Sequence, residues 1–135
     1  MQILLIAATA KEIQPFTDVN PGVNILITGV GIPSTIYHLQ KYLGKGKYDL
    51  VIQAGIAGTF NKDIQLGQTV LVKKDSFGDL GMEEKEKFSS LFENGFADGN
   101  EIPFEDGWLV NTNDILSQSS LLTVKAVTVN KVSDS

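Results

Sequence analysis

Residues Val23–Ala54 read VNILIT, GVGIPSTIYHLQKYLGKGKY and DLVIQA in succession, and this stretch decides the fold. Val23–Thr28 and Asp49–Ala54 are apolar runs bounded by turn residues, the pattern of strands buried on both faces. Between them, Pro33–Leu43 places Ile36, Leu39 and Leu43 at three- and four-residue steps, on one face of a helix. Pro33 suits a first helical turn and Gly44 suits the stop. Strand, helix and strand at this spacing predict a βαβ crossover. Upstream, Gln2–Ala8 (QILLIAA) is a third apolar run and a further buried strand.

Downstream the pattern changes. Gly67–Val72 (GQTVLV) and Val124–Asn130 (VKAVTVN) are rich in β-branched residues and read as strands, with Gly107–Asn111 (GWLVN) as a shorter candidate. Glu83–Phe92 and Asp114–Leu122 read as helices, the second with Asp114 placed as an N-cap. Residues 94–107 (NGFADGNEIPFEDG) are polar and rich in Gly and Asp, and are expected to form a mobile loop carrying Phe96 and Phe104, with Trp108 just beyond. No repeat or linker interrupts the chain. The expected fold class is α/β, with a mixed, largely buried central sheet flanked by helices, in a single domain over residues 1–135 with no internal boundary. Few helices are available to cover these strands, and the β-branched run ends at Lys131–Ser135 with nothing after it. The expectation is therefore a C-terminal part that is missing, or an obligate partner.

Composition narrows the function. The chain has 135 residues and a net charge of −5, and all eleven basic residues are Lys. An acidic chain lacks the basic face that nucleic acid or an anionic membrane requires, so neither is an expected partner. There is no Cys, and His38 is the one His, which excludes disulfides, thiolate catalysis and zinc sites built on Cys or His clusters. No metal and no cofactor are expected. The run Met1–Ala8 is short, has no basic segment before it, and is followed at once by Lys11 and Glu12, so it reads as a core strand and the chain as cytoplasmic.

Four segments are candidates for chemistry. Glu12, in AATAKE, follows the first strand, where ligands of open α/β sheets bind. It also stands three residues after Thr9, the spacing of a capping box, although Pro15 fits that helix poorly. Sequence alone leaves both roles open. The Gly-rich TGVGIPS (Thr28–Ser34) leads into a helix, whose N-terminal N–H groups attract anions. It lacks the third Gly of a dinucleotide fingerprint and the Gly-Lys of a phosphate loop, so a tight turn is the simpler reading. In QAGIAGTF (Gln53–Phe60) the near absence of side chains at Gly55, Ala57 and Gly58 would let a flat group lie against the backbone, or would serve close packing. Asp79, in DSFGDLG, sits between glycines in what reads as a turn. His38, without partners in the sequence, reads as a surface or boundary residue rather than an acid–base group, and Glu83–Lys87 as a solvated helix face.

Taken in order, AATAKE, TGVG, DLVIQAGIAGTF, LGQTVLV and FGDLG resemble the nucleoside phosphorylase/nucleosidase superfamily over essentially the whole chain. The Gly-Ile-Ala-Gly and Gly-Asp-Leu-Gly forms are most similar to its futalosine hydrolase family, which serves menaquinone biosynthesis. The resemblance implies hydrolysis of the N-glycosidic bond of a purine nucleoside, futalosine yielding hypoxanthine and dehypoxanthine futalosine, without a metal. It implies that Glu12 holds the attacking water, that Ala57 and Gly58 line the base together with Ile56, and that Ala8 and Thr9 lie near the sugar and its 5′ substituent. Phe104 falls in a loop that in relatives reaches a neighbouring subunit's site, so a homo-oligomer is expected. Phosphorolytic relatives carry an Arg and a Ser near the glycine turn, where this chain has Gln53 and Ile56, which favours water over phosphate as the nucleophile. Ile56 also departs from the Ser of methylthioadenosine/S-adenosylhomocysteine nucleosidases, the runner-up family. The family's Met-Glu pair on the ribose and its base-protonating Asp have no counterpart here and are expected beyond Ser135. A non-catalytic nucleoside-binding or scaffold fragment is the remaining alternative.

Overall fold

Alternation of apolar runs with two helices produces, in residues 1–62, a small parallel sheet. The computed structural model describes residues 1–132, and the chain divides into two compact units, Met1–Lys62 and Asp63–Ser135. In the first unit the elements are β1 (Ile3–Ala7), α1 (Ala10–Val19), β2 (Asn24–Ile27), α2 (Ile32–Leu43) and β3 (Leu50–Gln53). The strands are parallel in the order β2-β1-β3, with Leu5 opposite Ile25 on one side and Ile52 on the other.

Burial concentrates on the central strand. Leu4, Leu5, Ile6 and Ala7 are buried, and Leu4 is wholly so. Because side chains alternate across a strand, Leu5 and Ala7 share one face, where they pack with Ile13 of α1 and with Val23, Ile25 and Ala54. Leu4 and Ile6 fill the other. The expectation of a largely buried sheet, with β3 buried on both faces, is corrected here: Val51 and Ile52 of β3 are exposed, as are Ile36 and Leu43 on α2. An apolar run shows that a strand can be buried, but an edge strand is buried only if another element lies over it.

In the second unit, β4 (Val70–Phe77) pairs antiparallel with β7 (Leu109–Val110) and parallel with β8 (Leu122–Thr128), and β5 (Gly81–Glu84) pairs with β6 (Lys87–Ser90) in a separate hairpin. Among the described residues, the protein is thus a mixed α/β chain with three small sheets and three helices. Glu83–Phe92 is not a helix. Lys85 and Glu86 adopt φ of 51° and 65° and turn the chain back as a two-residue loop of the type I′ kind. Cross-strand pairing, such as Glu83 with Phe88, overrides the helix preference of Glu and Lys. The helix expected over Asp114–Leu122 shrinks to α3 (Ile115–Gln118). Asp114 is itself helical and does not cap; the Asn113 side chain accepts the Ile115 N–H at 3.0 Å instead. The strand expected from Gly67 begins at Val70, because Gly67, with φ of 79°, belongs to a turn closed by Gln68 N–H donating to the Gln65 carbonyl at 3.0 Å. Residues 94–107 form a loop cross-braced by Gly107 N–H on the Gly99 carbonyl (2.8 Å) and Asp106 N–H on the Asn100 side chain (3.0 Å).

Candidate functional site

The carboxyl ends of three parallel strands meet at one edge of the first unit. Thr28 N–H donates to the Ala7 carbonyl and Ala54 N–H to the Ile6 carbonyl, each at 2.9 Å, so the segments leaving β1, β2 and β3 start at the same level. β1 connects through α1 to a strand on one side, and β2 then crosses to the other side to form β3. The connection therefore reverses direction between β1 and β3, and this switch point is where open α/β sheets leave a crevice for ligands.

Glu12 stands at that point. Thr9 precedes α1 in extended backbone, and Glu12 reaches back to it: its Oε2 accepts the Thr9 N–H at 2.7 Å and the Thr9 hydroxyl at 3.0 Å. The capping box expected from the spacing is therefore formed, and α1 runs on through Pro15 to Val19. The other oxygen, Oε1, faces β3: a Cβ placed on Gly55 would lie 3.3 Å from it. One carboxylate oxygen is thus held by the helix start while the second faces Gly55, just beyond β3. Ala8, Thr9 and Glu12 are half-buried. Ile56, Ala57 and Gly58 follow Gly55 at the same edge and are exposed, Ile56 by 83%.

The β2 side of the edge is occupied by the protein's own polar groups. Gly29 (φ of 79°) turns the chain so tightly that a Cβ there would meet Ser34 Oγ. Ser34 Oγ donates to the Thr28 carbonyl at 2.6 Å, and the buried Thr28 hydroxyl bridges to the Ala7 carbonyl at 3.2 Å. These hydroxyls serve the turn, as its simpler reading suggested. His38 is exposed, and its Nδ1 lies 2.9 Å from the Ser34 carbonyl one turn earlier. Across the segments 7–12, 28–34 and 53–60, Lys11 and Glu12 are the sole charged residues. No guanidinium fork stands there to hold a phosphate.

The remaining candidates lie in the second unit. Phe104 is half-buried and packs edge-to-face on Phe92 (5.1 Å between ring centres) and Phe77 (6.3 Å). An open cleft of about 210 Å³ beside them is lined by Ser76, Phe77, Leu91, Phe92, Asp106 and Trp108. Asp79 fastens the end of β8, accepting Asn130 N–H at 2.6 Å, Lys131 N–H at 3.1 Å and the Asn130 amide at 3.1 Å. Partial desolvation pushes its pKa up, and these donors outweigh that effect and hold its carboxyl below the usual range. Among the described residues, no group of three or more His, Asp or Glu is placed to hold a metal ion, and no helix is long and apolar enough to cross a membrane.

What the sequence does not show is that Glu12 Oε1 occupies the space a side chain at position 55 would take. The one sequence signal of this arrangement is a glycine directly after a strand end. Comparison of the chain with known protein families and with curated proteins finds no match in either.

Proposed function

We propose that the first unit is the water-activating part of a nucleosidase of the nucleoside phosphorylase-like fold, acting on a purine nucleoside, with futalosine as the leading substrate. The observation that carries this reading is the divided carboxylate: Glu12 is fixed through Oε2, while Oε1 is left free at the β1/β3 switch point. Breaking an N-glycosidic bond develops positive charge on the sugar, which a fixed carboxylate stabilises. The same oxygen accepts a hydrogen bond from a water, orients it toward the anomeric carbon and takes its proton as the carbon–oxygen bond forms. The departing purine leaves with the bonding electron pair and takes its proton from a separate acid. The glycine-rich run Gly55–Gly58 leaves the backbone open beside Glu12 for a flat base. The lack of Arg supports water rather than phosphate as the nucleophile. A cytoplasmic homo-oligomer, in which Phe104 serves a neighbouring subunit's site, and a single-domain organisation belong to this same reading.

A second reading has its own observation. Glu12 completes a capping box, so its carboxylate is accounted for by helix structure alone. In that case the crevice binds a nucleoside without catalysis, or binds none.

The test is release of free base from futalosine, inosine and methylthioadenosine. It is run on the chain alone and with an added polypeptide that supplies a ribose clamp and a base-side acid. Release in the complemented sample, indifferent to added phosphate, is expected. Phosphate-dependent formation of a sugar 1-phosphate, or no release from any of the three, would overturn the proposal. Preference for methylthioadenosine over futalosine would move the substrate to the runner-up family.

A further inference from the structure

Glycine at position 55 is not demanded by the backbone. Gly29, Gly31 and Gly67 have positive φ, which favours glycine, whereas Gly55 does not. It is not demanded by strand packing either. Among the described residues, and apart from its two chain neighbours, the atoms within 4 Å of a Cβ built on Gly55 are those of Glu12, with Oε1 at 3.3 Å and Cδ at 3.8 Å. A Cβ on Gly58, three residues on, would meet nothing. The missing side chain of Gly55 therefore makes room for one group, a carboxylate oxygen that the capping box leaves unused.

The geometry points to Gly55 as a positioning residue for Glu12. Its bare Cα keeps the crevice side of the carboxylate clear, so that Oε1 projects beyond the end of β3 while Oε2 stays on Thr9. The inference rests on the reading of Glu12 as the working carboxylate, but its physical core, the Gly55–Glu12 contact, can be measured without any ligand. A methyl group at position 55 would require Glu12 to move by a few tenths of an ångström. The carboxylate cannot give freely, because the 2.7 and 3.0 Å bonds to Thr9 hold its other oxygen.

The experiment compares the wild-type chain with Gly55→Ala, Glu12→Gln and the double variant. One readout is the Glu12 side-chain carboxyl ¹³C resonance together with the Thr9 amide resonance. The other is affinity for inosine. In Gly55→Ala, the Glu12 carboxyl and Thr9 amide signals should both move, and affinity should fall by up to about tenfold, in keeping with the sensitivity of bound groups to sub-ångström misplacement. In the Glu12→Gln background, Gly55→Ala should lose no more affinity than Glu12→Gln does alone, because both changes act through one group. An equal, additive loss in that background would mean that the ligand itself lies on Gly55, and would overturn the positioning role. Unmoved Glu12 and Thr9 signals in Gly55→Ala would overturn it as well. If inosine binds to none of the proteins but those signals move, the contact stands and the nucleosidase reading falls. If Gly55→Ala fails to fold, Gly55→Ala with Glu12→Ala should fold, since the sole obstacle is gone; a double variant as unfolded as the single one would overturn the inference.

Discussion

Replacing Glu12 separates its two roles, because Ala and Gln remove different things. Glu12→Ala deletes both bonds to Thr9, at 2.7 and 3.0 Å. Loss of a cap of this kind costs about 1 kcal/mol. For a unit of roughly 60 residues that corresponds to a fall in Tm of about 4–8 °C. Glu12→Gln keeps an amide oxygen that accepts the Thr9 N–H and loses the charge at the helix start, worth about 0.3–1 kcal/mol. By the same conversion its Tm should fall by about 1–8 °C, no further than that of Glu12→Ala. Turnover should behave differently: without a carboxylate to take a proton from water, the rate falls by about two or more orders of magnitude in both variants. The measurements are calorimetric melting of the chain and base release in a sample supplied with the ribose clamp and the acid. A Glu12→Gln variant with normal turnover and a lowered Tm would refute the catalytic role and leave Glu12 as a helix cap.

Other regions give independent expectations. Leu4 is wholly buried in the central strand, so Leu4→Ala should destabilise the chain by about 2–5 kcal/mol, read from urea unfolding. Lys85 and Glu86 hold positive φ in the β5–β6 turn, so Lys85→Asn with Glu86→Gly should stabilise the second unit by about 1 kcal/mol, read from the same titration. The Asp79 carboxyl is held below the usual range in the folded chain. Its contribution is thus fully present above the ordinary carboxylate range and is lost as pH falls through its folded value. The gap in unfolding midpoint between wild type and Asp79→Ala should accordingly narrow between about pH 5 and pH 2, and a gap constant over that range would contradict the clasp.

The first unit was largely legible in the sequence. The runs at Gln2–Ala8, Val23–Thr28 and Asp49–Ala54 become β1, β2 and β3, and the Pro33–Leu43 pattern becomes α2, one residue longer at its start. Periodicity suffices there because each element has a single period and clear turn residues at its ends. Burial was less legible: identical-looking runs give a buried β1 and an exposed β3, and that difference depends on neighbours that no local pattern encodes. The β5–β6 hairpin was hidden because Lys85 and Glu86 are poor markers of a positive-φ turn, where Asn-Gly would have announced one. At the site, the Thr9–Glu12 spacing made the capping box visible. The approach of Gly55 to Glu12 joins residues 43 positions apart and emerges from strand order alone.

The most direct test of the crevice as a nucleoside site is titration of the ¹⁵N-labelled chain with futalosine or inosine while the backbone amides are followed. The expected result is saturable shifts at Thr9 and Gly55–Gly58, beside Glu12, that are unaffected by phosphate. Absence of shifts at any attainable concentration, or shifts confined to the cleft of Phe77, Phe92 and Trp108 in the second unit, would contradict it.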